Sequence, residues 1–424
     1  MVWRRVAVMV VAAVLGLLAV PAPAFARHVC DSQATPDKTL SGTPYEDQLF
    51  APAALAPVAT GAGVRVAVID SGVDADYPQL RGQVAAGRDF LHGDPDGQQD
   101  CVGHGTAVAS VIAARPAAGT GLRGLAPGVT IVPVRVSEEA EFDGKTVGDH
   151  ASFEDFARAI DWAVRDGHAQ VINMSLVTTV DSPPVRAAIA RAIGAGGVVV
   201  AAAGNHGDAQ GADLTPYPAA YAGVIGVGAV TADGVRASFS QHGDYVDLVA
   251  PGDKVTVASL GGGQHLDQGT SFSAPFVAAT AALILQRFPG STPAAVARRL
   301  EATADPSPAG ERSGDYGYGL LNPYRALTEA LGPDSPAAAV PQVMHAEDPA
   351  AAALAARRDR ARGMAVWIAV AGAGVVLLIA AAAVVVRRGR RRGWRPAVAG
   401  RADGGGVRPS EPDRRLTGEV GVGS

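Results

Sequence analysis

Cysteine is nearly missing from this chain: two residues cannot hold a disulfide framework together, although they can form one bridge. Aromatic residues contribute only 5%, and the formal net charge is a mild -5. The arginine excess sits at the end of the chain, so nothing resembles the basic footprint of a nucleic-acid-binding domain. No internal repeat is visible, which excludes a solenoid or propeller. What is abundant is glycine, alanine and valine. With 48% hydrophobic residues in 424, the chain can fill one large core and still carry further segments.

Those segments lie at the two ends. Residues 1–26 read as a secretory signal, with Arg4-Arg5, an apolar run over 6–20 and the small-x-small site Ala24-Phe25-Ala26. An uncleaved anchor is the other reading of this stretch. Residues 27–63 are polar and then rich in proline and alanine, too short for a folded prodomain, and read as an extended arm lying over the main domain. Cys30 lies in that arm and Cys101 just before His104. A bridge between them would close a loop of roughly 70 residues, worth about 4 kcal/mol in a chain-entropy account. Lipid attachment at Cys30 is the alternative, and Arg27-His28-Val29 before it matches that poorly.

Beyond a main domain at 64–332, residues 333–363 form a Pro/Ala-rich linker. Residues 364–386 are uncharged and apolar, long enough to span a bilayer once. Arg387, Arg388, Arg390, Arg391, Arg392 and Arg395 follow at once, so the positive-inside rule leaves this end in the cytoplasm and the domain outside. The tail at 387–424 is basic at first and then reads as disordered.

Within the main domain, strand-like apolar runs alternate with helical ones. Strands are expected at 64–69, 129–136, 171–174, 197–203, 221–230 and 245–249, and helices at 107–114, 153–165, 272–288 and 325–331. This alternation predicts an α/β, three-layer fold with a mostly parallel sheet and helices on both faces. The polar, acid-rich insert at 137–152 reads as an exposed loop near the rim.

Three chemical groups stand at the ends of these elements. Asp70 follows the apolar run Val-Arg-Val-Ala-Val-Ile, where sites form in open α/β sheets. Of the nine histidines, only His104 is framed by glycines, Gly103 and Gly105. Ser271 opens a helix that is apolar on every face, and Pro275, tolerated only in a first turn, places the helix start near Ser271 or Phe272. There a hydroxyl meets unclaimed backbone N–H groups and the positive end of the helix dipole, a setting for attack on a carbonyl.

The order Asp70, His104, Ser271, with these surroundings, resembles the subtilisin-like serine proteases. The matching stretches are Val-Ile-Asp-Ser-Gly-Val-Asp at 68–74, Gly-His-Gly-Thr at 103–106, Ala-Ala-Gly-Asn at 202–205 and Gly-Thr-Ser-Phe-Ser-Ala-Pro at 269–275. The resemblance implies a catalytic triad and an oxyanion-binding amide on Asn205. It also implies substrate contacts at Ser175 and Leu176, where a peptide pairs along a strand edge, and at Ala203 and Gly204 beside a specificity pocket. No metal or cofactor is implied; Asp94-Pro95-Asp96-Gly97 lacks the acidic ligand of a calcium loop and reads as a turn. Tyr77 departs from the many members that carry His there. The signal, the Cys-bearing arm, the linker and the single span resemble, more narrowly, the mycosins. These are membrane-anchored proteases of type VII secretion systems. That resemblance implies limited proteolysis of exported proteins on the outer side of the cytoplasmic membrane. It equally implies a structural part in the secretion membrane complex, with proteolysis secondary.

Overall fold

The computed structural model describes residues 36–332 apart from 143–144, 208–213 and 308–311. The expected signal, the first part of the arm with Cys30, the linker, the span and the tail lie outside the described residues. The rest of the arm is not wholly extended: it forms two short helices, α1 (Tyr45–Phe50) and α2 (Pro52–Leu55). Phe50 and Leu55 anchor them in the core, Phe50 edge-on to Phe276 at 5.2 Å.

The main domain then runs β1 (Arg65–Asp70), β2 (Arg88–Asp89), α3 (His104–Ala113) and β3 (Thr130–Arg135). Next come β4 (Ala140–Phe142), β5 (Lys145–Val147), α4 (Phe153–Arg165), β6 (Val171–Met174), α5 (Pro183–Gly194) and β7 (Val198–Ala202). β8 (Ile225–Val230), β9 (Leu248–Pro251), β10 (Val255–Ala258) and β11 (Gln264–Asp267) follow. The described part closes with α6 (Thr270–Arg287), α7 (Pro293–Ala302) and α8 (Pro323–Thr328).

Seven strands form one sheet in the order β2-β3-β1-β6-β7-β8-β9, every neighbouring pair parallel. Strand side chains alternate between faces, so each strand feeds two cores. On one face Val66, Val68, Val198, Val200 and Val227 pack with α3, α6 and α7. On the other, Ala67, Ile69, Val132, Val134, Ile172 and Met174 pack with α4 and α5. That is why these strands read as continuous apolar runs rather than alternating ones.

Several boundaries differ from the sequence expectation. β8 starts at Ile225, because Tyr221 is engaged in a turn, its hydroxyl accepting from Ser182 N at 2.8 Å. α8 starts at Pro323 because the Asn322 side chain caps it, accepting from Arg325 N at 3.0 Å. The insert at 137–152 is not a plain loop: β4 and β5 pair as an antiparallel hairpin. α6 begins at Thr270, which puts Pro275 past the first turn.

Candidate active site

β1 ends at Asp70, and α3 begins at His104. The His104 Nδ1 lies 2.7 Å from Asp70 Oδ1, which also accepts from Ser71 N at 2.8 Å. Asp70 is 1% exposed, whereas 28% of the His104 side chain reaches the surface. Burial by itself disfavours a charged imidazole here. The charge and hydrogen bond of Asp70, joined by Asp267 and Asp100, outweigh it and push His104 from 6.5 up to about 9. Gly105 is required by backbone rather than by substrate: a Cβ there would overlap the Gly72 carbonyl.

A residue that sequence reasoning missed holds this end of α3. Asp100 Oδ1 accepts from Ser71 Oγ at 3.0 Å, Val102 N at 3.1 Å and Gly103 N at 2.7 Å. Its Oδ2 accepts from Thr106 N at 2.8 Å and Thr106 Oγ1 at 2.6 Å. Burial raises the pKa of this carboxyl, and the bonds from Thr106 and Gly103 oppose the rise. No local rule marked it: the N-cap of α3 is Gly103, and Asp100 lies three residues ahead of it.

Ser271 is the second residue of α6. Its N–H is one of the donors that a helix start leaves unclaimed, and it has no partner among the described residues. Asn205 is exposed beside it. The Asn205 Oδ1 accepts from Thr270 N and from Thr270 Oγ1, both at 2.9 Å. Because a backbone N–H only donates, the oxygen must face Thr270 and the Nδ2 amide is left to face outward. Thr270 is therefore the orienting residue, and no local pattern in the sequence marked it. The Ser271 Oγ donates to the Ser175 carbonyl at 3.2 Å rather than to His104. The Ser175 Oγ in turn donates to the Ser271 carbonyl at 2.7 Å and accepts from Asn173 Nδ2 at 3.0 Å.

Asp70, His104, Ser175 and Leu176 line one cleft of about 380 Å³. Ala203 and Gly204 play a different part from the one expected. Ala203 is fully buried among Val230, Val246 and Val249, so it offers no surface to a substrate. Gly204 sits at φ 98 with its N–H donating to Thr270 Oγ1 at 3.0 Å, and a Cβ there would overlap Gln241. Tyr77 is buried, its hydroxyl donating to the Gly263 carbonyl at 2.9 Å. Cys101 carries no free thiol, and Arg135 Nη2 donates to its Sγ at 3.4 Å. Its expected partner Cys30 lies outside the described residues. Among the described residues no group of His, Cys, Asp and Glu is placed to hold a metal ion.

The arrangement suits acyl transfer. A turn of the Ser271 side chain from the Ser175 carbonyl toward His104 Nε2 gives a hydroxyl whose proton the imidazole can take. The Asp70 carboxylate keeps the other ring nitrogen as donor and stabilises the imidazolium. Negative charge developing on an attacked carbonyl oxygen meets the Ser271 N–H and the Asn205 amide. Returning the proton to the leaving amine breaks the C–N bond and leaves the acyl group on Ser271 Oγ. A water that gives its proton to His104 then attacks this ester, releasing the acid and restoring the Ser271 hydroxyl.

Comparison with known proteins agrees with this chemistry. The model of the Subtilase family matches residues 61–319. Subtilisin E of Bacillus subtilis is 38% identical over 275 residues, covering 65% of this chain and 68% of its own. Mycosin-1 of Mycolicibacterium smegmatis is 32% identical over 405 residues, covering 78% of this chain and 88% of its own. Among solved structures, MycP1 from the ESX-1 type VII secretion system superposes with a TM-score of 0.60 at 31% identity, covering 71% of this chain and 90% of that one. With the matching motifs gathered at one end of one parallel sheet, the chain belongs to the subtilase family and is a subtilisin-like serine endopeptidase.

Proposed function

We propose that this endopeptidase is a mycosin: tethered to the cytoplasmic membrane by residues 364–386, it cleaves exported proteins at a type VII secretion system. Asp70, His104 and Ser271 are its triad and Asn205 its oxyanion donor. One observation carries the reading. Similarity to Mycosin-1 takes in 78% of the chain, against 65% for subtilisin E. It therefore reaches farther than the peptidase likeness alone requires. The described part of the arm supports it, since Asp37 N donates to Gly262 O and Gln264 N to Lys38 O at 3.0 Å each, binding the arm to the β10–β11 hairpin. In this reading a Cys30–Cys101 bridge also holds the arm, seven residues before Asp37.

The test compares cells carrying Ser271→Ala with cells lacking the whole chain and with cells making a truncation that ends before residue 364. Fluorophosphonate labelling of the full chain should disappear with Ser271→Ala. Loss of substrate processing with secretion retained supports a protease that also has a structural part in the complex. Secretion unchanged in the full deletion refutes the type VII assignment and leaves the peptidase assignment standing.

A further inference from the structure

The cleft beside His104 has apolar walls, formed by Val136, Phe153, Phe156, Leu176, Val177 and Pro218. Its lining holds no lysine or arginine, and its two carboxylates are Asp70 and Glu139. Asp70 is committed to His104. Glu139 stands at the base of the β4–β5 hairpin, 39% exposed, with His150 Nδ1 at 3.0 Å from its Oε1. The backbone around it is held firmly. Ser137 and His150 form an antiparallel bridge, Glu138 N donates to Asp149 O and Ala151 N to Val136 O at 2.7 Å each, and Glu139 N donates to Ser137 Oγ at 3.0 Å. The nearby cation Arg135 is engaged by Asp89 and Glu138.

We propose that this cleft selects a long basic side chain, lysine or arginine, among the substrate residues preceding the scissile bond, with Glu139 receiving its cationic head. The inference rests on the peptidase assignment and names the substrate class of that site. Such a side chain lays an apolar stem along the walls and carries its charge to the rim. A purely aliphatic or aromatic side chain fills the same walls but covers Glu139 without offering a partner, which costs binding. The pair with His150, 70% exposed, is weak, whereas a bound substrate side chain covers Glu139 and excludes water from it, which raises the worth of a charged partner there.

The test uses the full chain and quenched fluorogenic peptides that place lysine, norleucine or glutamate at each of the four positions before the cleaved bond. Norleucine keeps the lysine stem without the charge. At one position lysine should exceed norleucine by about tenfold or more in kcat/KM, the scale of a single well-placed polar contact. Glu139→Gln should bring that ratio to about one, and Glu139→Lys should turn the preference toward glutamate. Equal cleavage of lysine and norleucine peptides at all four positions overturns the proposal, as does a ratio unchanged by Glu139→Gln. Anisotropy with the Ser271→Ala protein gives the same ratios as binding, without turnover. A protein that labels with fluorophosphonate yet shows no lysine preference refutes the selectivity and keeps the peptidase. One that does not label refutes the peptidase chemistry, and the binding ratios still decide the selectivity.

Discussion

Ser175 and Ser271, 96 residues apart, are joined by two hydrogen bonds: each hydroxyl donates to the other's carbonyl, at 2.7 and 3.2 Å. The shorter bond exists because Pro275, four residues after Ser271, has no N–H to give to the Ser271 carbonyl. A proline past the first turn thus leaves an acceptor free at the nucleophile's own residue, and Ser175 takes it.

Ser175→Ala should therefore loosen Ser271 without removing it. Fluorophosphonate labelling should persist at a reduced rate, with kcat lowered about tenfold through misplacement of the nucleophile. Stopped-flow labelling beside steady-state kinetics measures both.

Asn205→Ala should lower kcat on the order of 100- to 1,000-fold with little change in KM, because its amide meets charge that develops only in the transition state. Thr270→Val keeps the backbone donor to Asn205 Oδ1 but loses the hydroxyl that joins it to Gly204. Its kcat should fall by about tenfold, between wild type and Asn205→Ala.

Catalysis needs neutral His104, and its acidic neighbours push its pKa up to about 9. Activity should therefore climb with pH and level off only near that value, above the 6.5 of an unperturbed imidazole. Stability runs the other way: the protonated imidazole's favourable pairing is fully present below 6.5 and is lost as pH rises through about 9. Asp267 contributes to the shift. Asp267→Asn should move the acid limb of kcat/KM to lower pH, a change read directly from the pH profile.

Asp100→Ala should strip acceptors from Ser71, Val102, Gly103 and Thr106 at the start of α3. Losing a half-buried acceptor of this kind costs about 1–3 kcal/mol, visible as a lower Tm. Activity should fall as well, because His104 is the first residue of that helix. A retained Tm would overturn the capping role.

Peptide mapping of the full chain without reduction should recover Cys30 joined to Cys101, the two cysteines of the chain. Reduction should lower Tm while Ser271 remains reactive toward fluorophosphonate. Two free thiols would rule the bridge out.

The apolar runs, the glycine-framed His104 and the serine ahead of an apolar helix were legible from sequence because each is a local pattern. A buried parallel strand needs apolar residues on both faces, and helix starts need small or polar residues. The helices of the arm were not legible, since α1 and α2 are too short to show periodicity and are held by Phe50 and Leu55 in the core. Nor was the burial of Ala203, because an alanine after a strand looks alike whether it meets substrate or Val246. The nucleophile, base and acid, their order and the parallel sheet that presents them at strand and helix ends are all local features of the chain. How they are aimed depends on contacts between distant segments. Thr270 turns Asn205 across 65 residues, and Asp100 ties the start of α3 to Ser71, 29 residues away at the end of β1. Such bonds join segments that crossover connections bring together, and hydrogen-bond direction depends on backbone placement that no local pattern encodes.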